Sequence, residues 1–324
     1  MDIRFYNFEF ELLYILPVSA SDRGVISMNT TAEFNGCGSF ELVFSCAELK
    51  PIVESNREHL IVVWRDFQGV LTGYRWSDAG DRLFGEHVNG LLTRKVLPKT
   101  DSALHGDVET LAYNAVSEHY DWLTLRDKKG FEMQIDFWKN TYHSGSDWIA
   151  DLLDKDGAGF KVTVDFVNKK YLFEVLKSEK SGLMISENNL NAYSVSESYD
   201  NKDLATGGWY EKATKAEKED GTTKESSVWT YLPSDESKTG IYKKEVVLNY
   251  DSPSEAKNAL KSKVGYYSAT LKTKNITYGE DYHLGDVVRL QVGSNTVLRK
   301  VAAVNRWLED EYGEEPVLKE VKDD

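Results

Sequence analysis

The chain has 324 residues, of which 41% are hydrophobic and 28% charged, with six prolines. This composition is typical of a folded globular protein and excludes the collagenous, disordered and disulfide-stapled classes. The 39 basic and 53 acidic side chains leave a net charge of −14, which argues against a protein that grips nucleic acid through its phosphates.

No apolar run approaches the roughly 20 residues needed to cross a bilayer, so we expect no membrane anchor. The first residues also lack the pattern of an export signal. The two cysteines, Cys37 and Cys46, have no His or Cys partner at a metal-ligand spacing. We therefore predict that both are buried free thiols and that the protein folds in a reducing compartment.

Alternating apolar residues predict β-strands in the first part of the chain. The predicted strands span residues 3–16, 39–45, 59–64 and 70–76. Residues 65–69 between the last two have a length that suits a hairpin loop. Residues 1–97 are therefore predicted to form one compact all-β unit.

The middle of the chain, residues 98–184, predicts a mixture of helices and strands. Apolar residues at helical spacing follow Asp107, a suitable N-cap, and predict a helix that ends near Tyr120. A second short helix is predicted from Ser146 to Leu153. It leads into a predicted hairpin over 160–166 and 171–176.

Residues 185–324 return to a mainly β pattern. A long loop is predicted over about 205–244, with a mobile part at 213–227. Trp209 and Trp229 bracket the mobile part, so the flanking segments are predicted to return to a sheet as a long β excursion in which Trp229 is an ordinary core residue. Ser252, Pro253 and Glu255 form a capping box that predicts a helix over 253–263. Strands follow at 269–278, 287–292 and 296–307, and the acidic residues 309–324 are predicted to be a solvated tail.

Local catalytic motifs such as G-x-S-x-G, H-E-x-x-H and the phosphate-binding loop are absent from the sequence. The candidate metal ligands are the carboxylates of Asp154, Asp156 and Asp165, which surround a glycine-containing turn. Ala158 occupies a loop position that should carry a ligand, and the second half of the segment has a strand pattern. A plain helix-to-strand turn is therefore the favoured interpretation.

Four separated stretches resemble one family, the central tail hub or tail-tip baseplate hub of long-tailed bacteriophages and prophages. They lie at residues 36–42, 84–96, 184–190 and 282–288. The residues that carry the resemblance are Gly38, Phe40, Gly85, Leu92, Arg94, Asn189, Leu284, Gly285 and Asp286. The resemblance assigns these residues structural roles, because glycine permits close backbone approach and Asp286 can bond turn amides.

The resemblance implies a β-rich mixed α+β fold with two small β-barrels similar to tail-tube subunits. The first barrel would be 1–97, a mixed domain would be 98–184, and the second barrel would be 185–324. Such hubs form homotrimeric rings that join the hexameric tail tube, or a distal tail protein, to a trimeric fibre or spike. We thus expect a virion tail tip component, assembled in the bacterial host cytoplasm, through which DNA passes without specific binding.

The same resemblance implies no enzymatic activity and no cofactor, and because the sequence ends at Asp324, soon after the last predicted hairpin, we expect no lytic domain. The acidic end is then expected to be a linker-like tail or a contact to the next tail-tip protein. The alternative is a β-rich carbohydrate-active enzyme or carbohydrate-binding protein. In that case Asp154 and Asp165 are candidate acids, and Trp209 and Trp229 are candidate platforms for sugar rings.

Overall fold

The computed structural model describes residues 2–18, 24–78, 80–217, 223–249, 253–261, 263, 266–309 and 311–321. These residues form 23 strands and four α-helices, so the predicted β-rich mixed class is confirmed. The chain divides into a first unit, Met1–Ser196 with Ala269–Asp324, and a second unit, Glu197–Ser268. No helix within the described ranges has the length and apolar character needed to cross a membrane.

The predicted strands of the first 97 residues are present. The elements are β1 Asp2–Asn7, β2 Leu12–Pro17, β3 Val25–Glu33, β4 Ser39–Phe44, α1 Leu49–Asn56, β5 Leu60–Trp64, β6 Phe67–Arg75, β7 Asp81–His87, a 3₁₀ helix Val88–Arg94, and β8 Val96–Leu97. The predicted loop 65–69 is shorter than expected. Trp64 pairs with Phe67, because Arg65 adopts a left-handed conformation (φ 55°) that closes a two-residue turn.

Both helices and the hairpin predicted for the middle section are confirmed. The elements are β9 Leu104–Asp107, α2 Val108–His119, β10 Leu123–Leu125, β11 Gln134–Phe137, β12 His143–Ser144, α3 Gly145–Leu153, β13 Gly159–Asp165 and β14 Lys170–Leu176. Asp107 caps α2 by accepting a hydrogen bond from the Thr110 amide at 2.8 Å. The cap of α3 is Ser144, two residues earlier than the predicted start.

The rest of the chain is richer in strands than the sequence predicted. The elements are β15 Lys180–Ile185, β16 Ala192–Asp200, β17 Gly207–Glu217, β18 Thr223–Pro233, a 3₁₀ turn Gly240–Tyr242, β19 Glu245–Leu248, α4 Pro253–Lys261, β20 Tyr266–Thr273, β21 Val287–Val292, β22 Asn295–Leu308 and β23 Tyr312–Glu320. Helix α4 begins at the predicted proline. Its predicted cap, Ser252, lies outside the described residues.

The predicted β excursion around 205–244 is present as a hairpin of β17 and β18, paired from Gly207–Pro233 to Glu217–Thr223, so its strands take up much of the predicted loop; 218–222 lie outside the described residues. The prediction of a solvated acidic tail was wrong, because residues 312–320 form strand β23, which pairs with β22 and buries Leu318. Only Pro316 and Leu318 of β23 are buried, so few apolar side chains mark this strand in the sequence.

Thirteen of the described strands form one large sheet. Its continuous order is β16-β20-β23-β22-β3-β4-β7-β6-β5-β1-β2, and β15 and β21 join it beside β22. Strand β22 lies at a fork, since its first half pairs with β21 and its second half pairs with β3. The fork joins strands from the two ends of the chain.

The predicted three-domain division, with barrels at 1–97 and 185–324, stays a prediction. Within the first unit, strands from both of these ranges share the large sheet. Residues 197–268, which were assigned to the second barrel, form the second unit by themselves. That unit contains the three-stranded sheet β18-β17-β19.

Candidate functional site: the strand junction and the exposed aromatic face

The fork in the large sheet is organised around Phe34. Its amide donates to the Ala302 carbonyl at 2.8 Å, where a bulge interrupts β22, and its own carbonyl accepts from the Phe160 amide at 3.0 Å. The Lys300 ammonium lies 4.3 Å from the centre of its ring. A Cβ at Gly285 would lie 2.3 Å from the same ring. Phe34 therefore connects three chain segments that are distant in sequence.

Strand β13 is attached to the large sheet through side-chain amides. The Val162 amide donates to Asn89 Oδ1 at 2.7 Å, and the Val164 amide donates to Gln68 Oε1 at 2.6 Å. Gln68 Nε2 also donates to the Val164 carbonyl, and Asn89 Nδ2 donates to the Gly36 carbonyl. The side-chain amides of Asn89 and Gln68 thus bond the backbone of β13 along the edge that is not paired with β14. They take the place of a neighbouring strand at that edge.

We expect Asn89→Ala to lower the free energy of unfolding by about 2 kcal/mol, because it leaves the buried Val162 amide and Gly36 carbonyl without these partners. Urea denaturation followed by tryptophan fluorescence measures the loss. Gln68→Ala is the comparison, with a smaller expected effect because Gln68 is only half-buried. Equal losses in the two variants would contradict this assignment.

His87 is buried beside this attachment. Its Nδ1 accepts a hydrogen bond from the Asn89 amide at 3.2 Å, and its ring packs edge-on against Phe67. Burial, assisted by the positive charge of Lys161, lowers the pKa of His87 to about 3. The imidazole is therefore neutral at pH 7.

We expect acid to destabilise the protein through His87. Folding lowers its pKa from 6.5 to about 3, so the stability it contributes is complete above pH 6.5 and is lost as the pH falls from there towards 3. The expected loss is about 2 kcal/mol between pH 6.5 and 4.5.

His87→Asn keeps a hydrogen-bond acceptor but cannot titrate, so its unfolding free energy should vary less over this pH range. Exposed His105→Asn is the matched control and should behave like the original protein. Denaturant titrations at several pH values measure the difference in slope. Identical slopes for the original protein and His87→Asn would show that His87 does not carry the effect.

A cluster of charged and aromatic side chains ties the turn after β5 to β22 and β23. The Arg306 guanidinium, whose side chain is 5% exposed, contacts both carboxylate oxygens of Asp66 and lies 3.5 Å from Glu314. It also lies 4.6 Å from the centre of the Tyr278 ring. Glu314 accepts further hydrogen bonds from the Tyr278 amide and the Tyr312 hydroxyl. We call this group the Arg306 cluster.

The charges within the Arg306 cluster shift its titration. Burial by itself raises the pKa of Asp66, but the hydrogen bonds and positive charge of Arg306 outweigh it and hold that pKa below its usual 3.8. Burial also raises the pKa of Tyr278 to about 12. At neutral pH the cluster therefore contains an ion pair and a neutral phenol.

Three of the predicted motif residues lie together in the large sheet. Gly38 has a left-handed conformation (φ 57°) immediately before β4. Phe40 is buried, and a Cβ at Gly69 or at Gly85 would lie 2.5 Å from its ring. The small residues thus make the space that the Phe40 ring occupies.

Leu92 and Arg94 lie in the 3₁₀ helix that follows β7. Leu92 is buried, and its carbonyl accepts a hydrogen bond from the Tyr120 hydroxyl at 2.7 Å. Arg94 donates to the Glu58 carbonyl at 3.2 Å and lies 4.9 Å from the Phe8 ring centre. Both residues therefore fix the helix to neighbouring segments.

The remaining motif residues organise turns in the first unit. The Asn189 side chain donates to the Met184 carbonyl at 3.1 Å. Leu284 packs against a core cluster that includes Ile185 and Val288, and Gly285 has a positive φ of 90°. Asp286 accepts from the His283 amide at 2.8 Å. The assignment of all nine residues to a family motif stays a prediction.

The candidate metal ligands do not converge. Asp154 and Asp156 lie in the short turn after α3, whereas Asp165 lies at the far end of β13. The Asp165 carboxylate accepts from the amides of Val167 and Asn168 and closes the β13–β14 turn. Within the described part of the chain, no three His, Cys, Asp or Glu side chains gather where they could hold a metal ion.

Both cysteines are free, as predicted, but they are half-buried rather than fully buried. Burial raises the pKa of the Cys37 thiol to about 11. The Cys46 sulfur lies 3.2 Å from the Tyr14 hydroxyl. At neutral pH Cys37 is therefore a protonated, weakly reactive thiol.

In the second unit, the sheet presents aromatic side chains to solvent. Trp209 and Trp229 are 38% and 48% exposed, so a core position for Trp229 is wrong. The Tyr231 ring centre lies 5.1 Å from that of Trp209. The Trp209 indole donates to the Glu245 carboxylate at 3.0 Å. We call these side chains, with Val247 beside them, the aromatic face.

Sequence reasoning identified the two tryptophans but missed the residues that connect the first unit. Asn89, Gln68 and Arg306 have no local pattern that distinguishes them from turn or surface residues. Their partners Val162, Val164 and Asp66 lie 73, 96 and 240 positions away in the sequence. A buried polar residue becomes recognisable only when its distant partner is known.

No protein-family model and no curated protein matches the chain. Among solved structures, it is similar to the 43 kDa tail protein of prophage MuSo2 from Shewanella oneidensis, with 12% identity, a TM-score of 0.54, and 99% of this chain and 98% of that chain covered. A tail protein from Neisseria meningitidis MC58 gives 12% identity and a TM-score of 0.54, with 98% and 96% covered. For prophage tail protein gp18 from Listeria monocytogenes EGD-e, the identity is 15% and the TM-score is 0.51, with 100% of this chain and 96% of that chain covered.

The chain therefore has the fold of prophage tail proteins along nearly its whole length. This confirms, for the fold, the resemblance predicted from the four sequence stretches. At 12–15% identity the likeness concerns the fold, and function has to be argued separately.

Proposed function

We propose that this chain is a non-enzymatic structural component of a bacteriophage or prophage tail tip. The observation that carries the proposal is the fold: the similarity covers 98–100% of this chain and 96–98% of three tail proteins, two of which come from prophages. An end-to-end match of this kind leaves no large described segment that would need a different function. We place the protein in the virion tail, assembled in the host cytoplasm.

In the finer form of the proposal, three copies make a ring-shaped hub. The hub joins the hexameric tail tube to a trimeric fibre or spike, and two similar domains in each chain allow a threefold ring to match a sixfold tube. DNA passes through the ring during ejection. The net charge of −14 for each copy supports passage without adhesion, since phosphates are repelled by acidic surfaces.

The hydrolase alternative has less support from the geometry. Its two candidate acids, Asp154 and Asp165, are separated by the length of β13. A seven-residue strand spans roughly 20 Å, whereas the carboxylates of glycosidases lie about 5–10 Å apart. The proposal therefore assigns no catalytic role to these carboxylates.

Light scattering across a concentration series, with negative-stain images of the same fractions, tests the ring. The expected species is a trimer of 36.8 kDa chains with a central hole. The protein is also mixed with purified tail tubes, because a ring could assemble only when its copies bind the end of the tube. A monomer that neither self-associates nor binds the tubes would contradict the hub proposal.

A gel-shift titration with duplex DNA at low salt tests the channel. We expect no retarded band, because the acidic surface repels phosphates. Low salt makes the test sensitive, since it would strengthen any phosphate contacts. A shift that weakens as salt rises would show that the surface binds phosphates. That result would contradict non-adhesive passage while leaving the ring itself to the mass measurement.

A further inference from the structure

The two faces of the second unit's sheet have different surroundings. Tyr210 and Leu248 point to one face, where Ala256 and Leu260 of α4 complete a small core. Trp209 pairs with Tyr231 on β18 and with Val247 on β19, so these three side chains share the opposite face. The aromatic face is therefore not the side on which this unit builds its core.

Two rings of the aromatic face, those of Trp209 and Tyr231, are in contact with neighbouring side chains. The Trp209 indole N–H is bonded to Glu245, and its ring is tilted by 54° against Tyr231. The Lys243 ammonium lies 5.1 Å from the Tyr231 ring centre. These contacts restrict the orientation of Trp209 and Tyr231 before any ligand arrives, which lowers the entropy lost on binding.

Acidic side chains accompany the rings. Glu211 pairs directly with Trp229, and Glu245 pairs with Gly207, so both carboxylates share the aromatic face. Carboxylates accept strong hydrogen bonds from hydroxyl groups and repel phosphates and sulfates. The Lys243 ammonium lies 3.8 Å from Glu245 and offsets its charge, so the charge of Glu211 remains among these three side chains. That charge fits an uncharged ligand rich in hydroxyl groups better than an anionic polymer.

We propose that the aromatic face binds a neutral glycan chain. A sugar ring offers a flat C–H face, which the negative face of an aromatic quadrupole attracts, and a rim of hydroxyl donors for carboxylates. Trp209 and Trp229 are diagonal neighbours on adjacent strands, about 7–8 Å apart at the backbone. Two such platforms suit consecutive sugar units of one chain. The role is additional to that of a tail subunit and independent of ring formation.

The test uses the full-length chain with two neutral probes, cellohexaose and chitohexaose. Isothermal titration calorimetry measures affinity, and saturation-transfer NMR identifies the sugar protons in contact with the protein. We expect at least one probe to bind with a dissociation constant below about 1 mM. A heparin hexasaccharide should bind more weakly than the neutral probe that binds, because the Glu211 carboxylate repels its sulfates.

The variants localise the site. Trp209→Ala and Trp229→Ala should each weaken binding at least about tenfold, equivalent to about 1.4 kcal/mol, and Trp229→Phe should restore most of it. Trp138→Ala is the matched control, because Trp138 is 50% exposed but lies in the first unit, and it should leave binding unchanged. Circular dichroism establishes that each variant is folded.

Three results would overturn the proposal. The first is failure of both probes to bind at about 5 mM. The second is equal weakening by Trp138→Ala. The third is that the original protein binds no sugar while Trp209→Ala and Trp229→Ala change its oligomeric mass. That result would show that a second copy of the chain covers the face.

Discussion

Gly85→Ala is expected to prevent the chain from reaching a stable native state. A Cβ at this position would lie 2.0 Å from the Val70 carbonyl oxygen and 2.5 Å from the Phe40 ring. A flexible side chain could move aside, but the carbonyl belongs to the backbone of β6, the strand paired with β7. The two strands would have to separate, and we expect a loss of more than about 3 kcal/mol.

Gly182→Ala is the matched control. Gly182 also lies in a strand of the first unit, but a Cβ there would have no atom within 4 Å. We expect the free energy of unfolding of this variant to lie within about 0.5 kcal/mol of that of the original protein. Soluble yield and thermal denaturation measure both variants. A Gly85→Ala protein as stable as Gly182→Ala would mean that β6 and β7 can separate without cost.

Arg306→Met is expected to destabilise the first unit by about 3 kcal/mol, because it removes the cation from a buried carboxylate. The Glu314 side chain is 9% exposed, so water cannot replace the lost guanidinium. For a unit of this size the expected fall in melting temperature is roughly 6–12 °C. Scanning calorimetry measures it.

Glu314→Gln in the same chain should recover part of this loss, because the amide carries no charge to leave unpaired. Asp66→Asn should cost less than about 1 kcal/mol, since the Asp66 carboxylate is 55% exposed. The pKa of Asp66 is lowered on folding, so its small contribution is present above 3.8 and disappears at lower pH. A double variant no more stable than Arg306→Met would contradict the role of Glu314.

Features with a local cause were predictable from the sequence. Helix α2 follows from an N-cap at Asp107 and apolar residues at helical spacing, and the β13–β14 hairpin follows from strict alternation. The helix after Pro253 likewise begins where the proline predicts. In each case the residues that stabilise the element lie within it or next to it.

Features whose partners are distant were not predictable. Strand β23 was missed for a different reason: its partner strand β22 directly precedes it, but its acidic sequence is typical of a solvated tail, and the pairing places Glu314 beside Arg306. The sequence between residues 213 and 227 has few apolar residues, so no strand period shows there. In the sequence, Asn89 is typical of a turn residue. The backbone amide that donates a hydrogen bond to its side chain lies in β13, more than 60 residues later. For the aromatic face, the sequence indicated Trp209 and Trp229 as candidate binding residues. It did not indicate the strand pairing that places both side chains on one face of the sheet.

The fork at β22 has a consequence for how the protein is made. Residues 303–308 pair with residues 28–33, about 270 positions earlier in the chain, so the large sheet has a high contact order. At about 5–20 residues per second, the ribosome needs many seconds to deliver the second partner after the first. During that interval one edge of β3 lacks its neighbour and is open to pairing with other nascent chains. Expression at a lower temperature or with a holdase chaperone should therefore raise the yield of native protein.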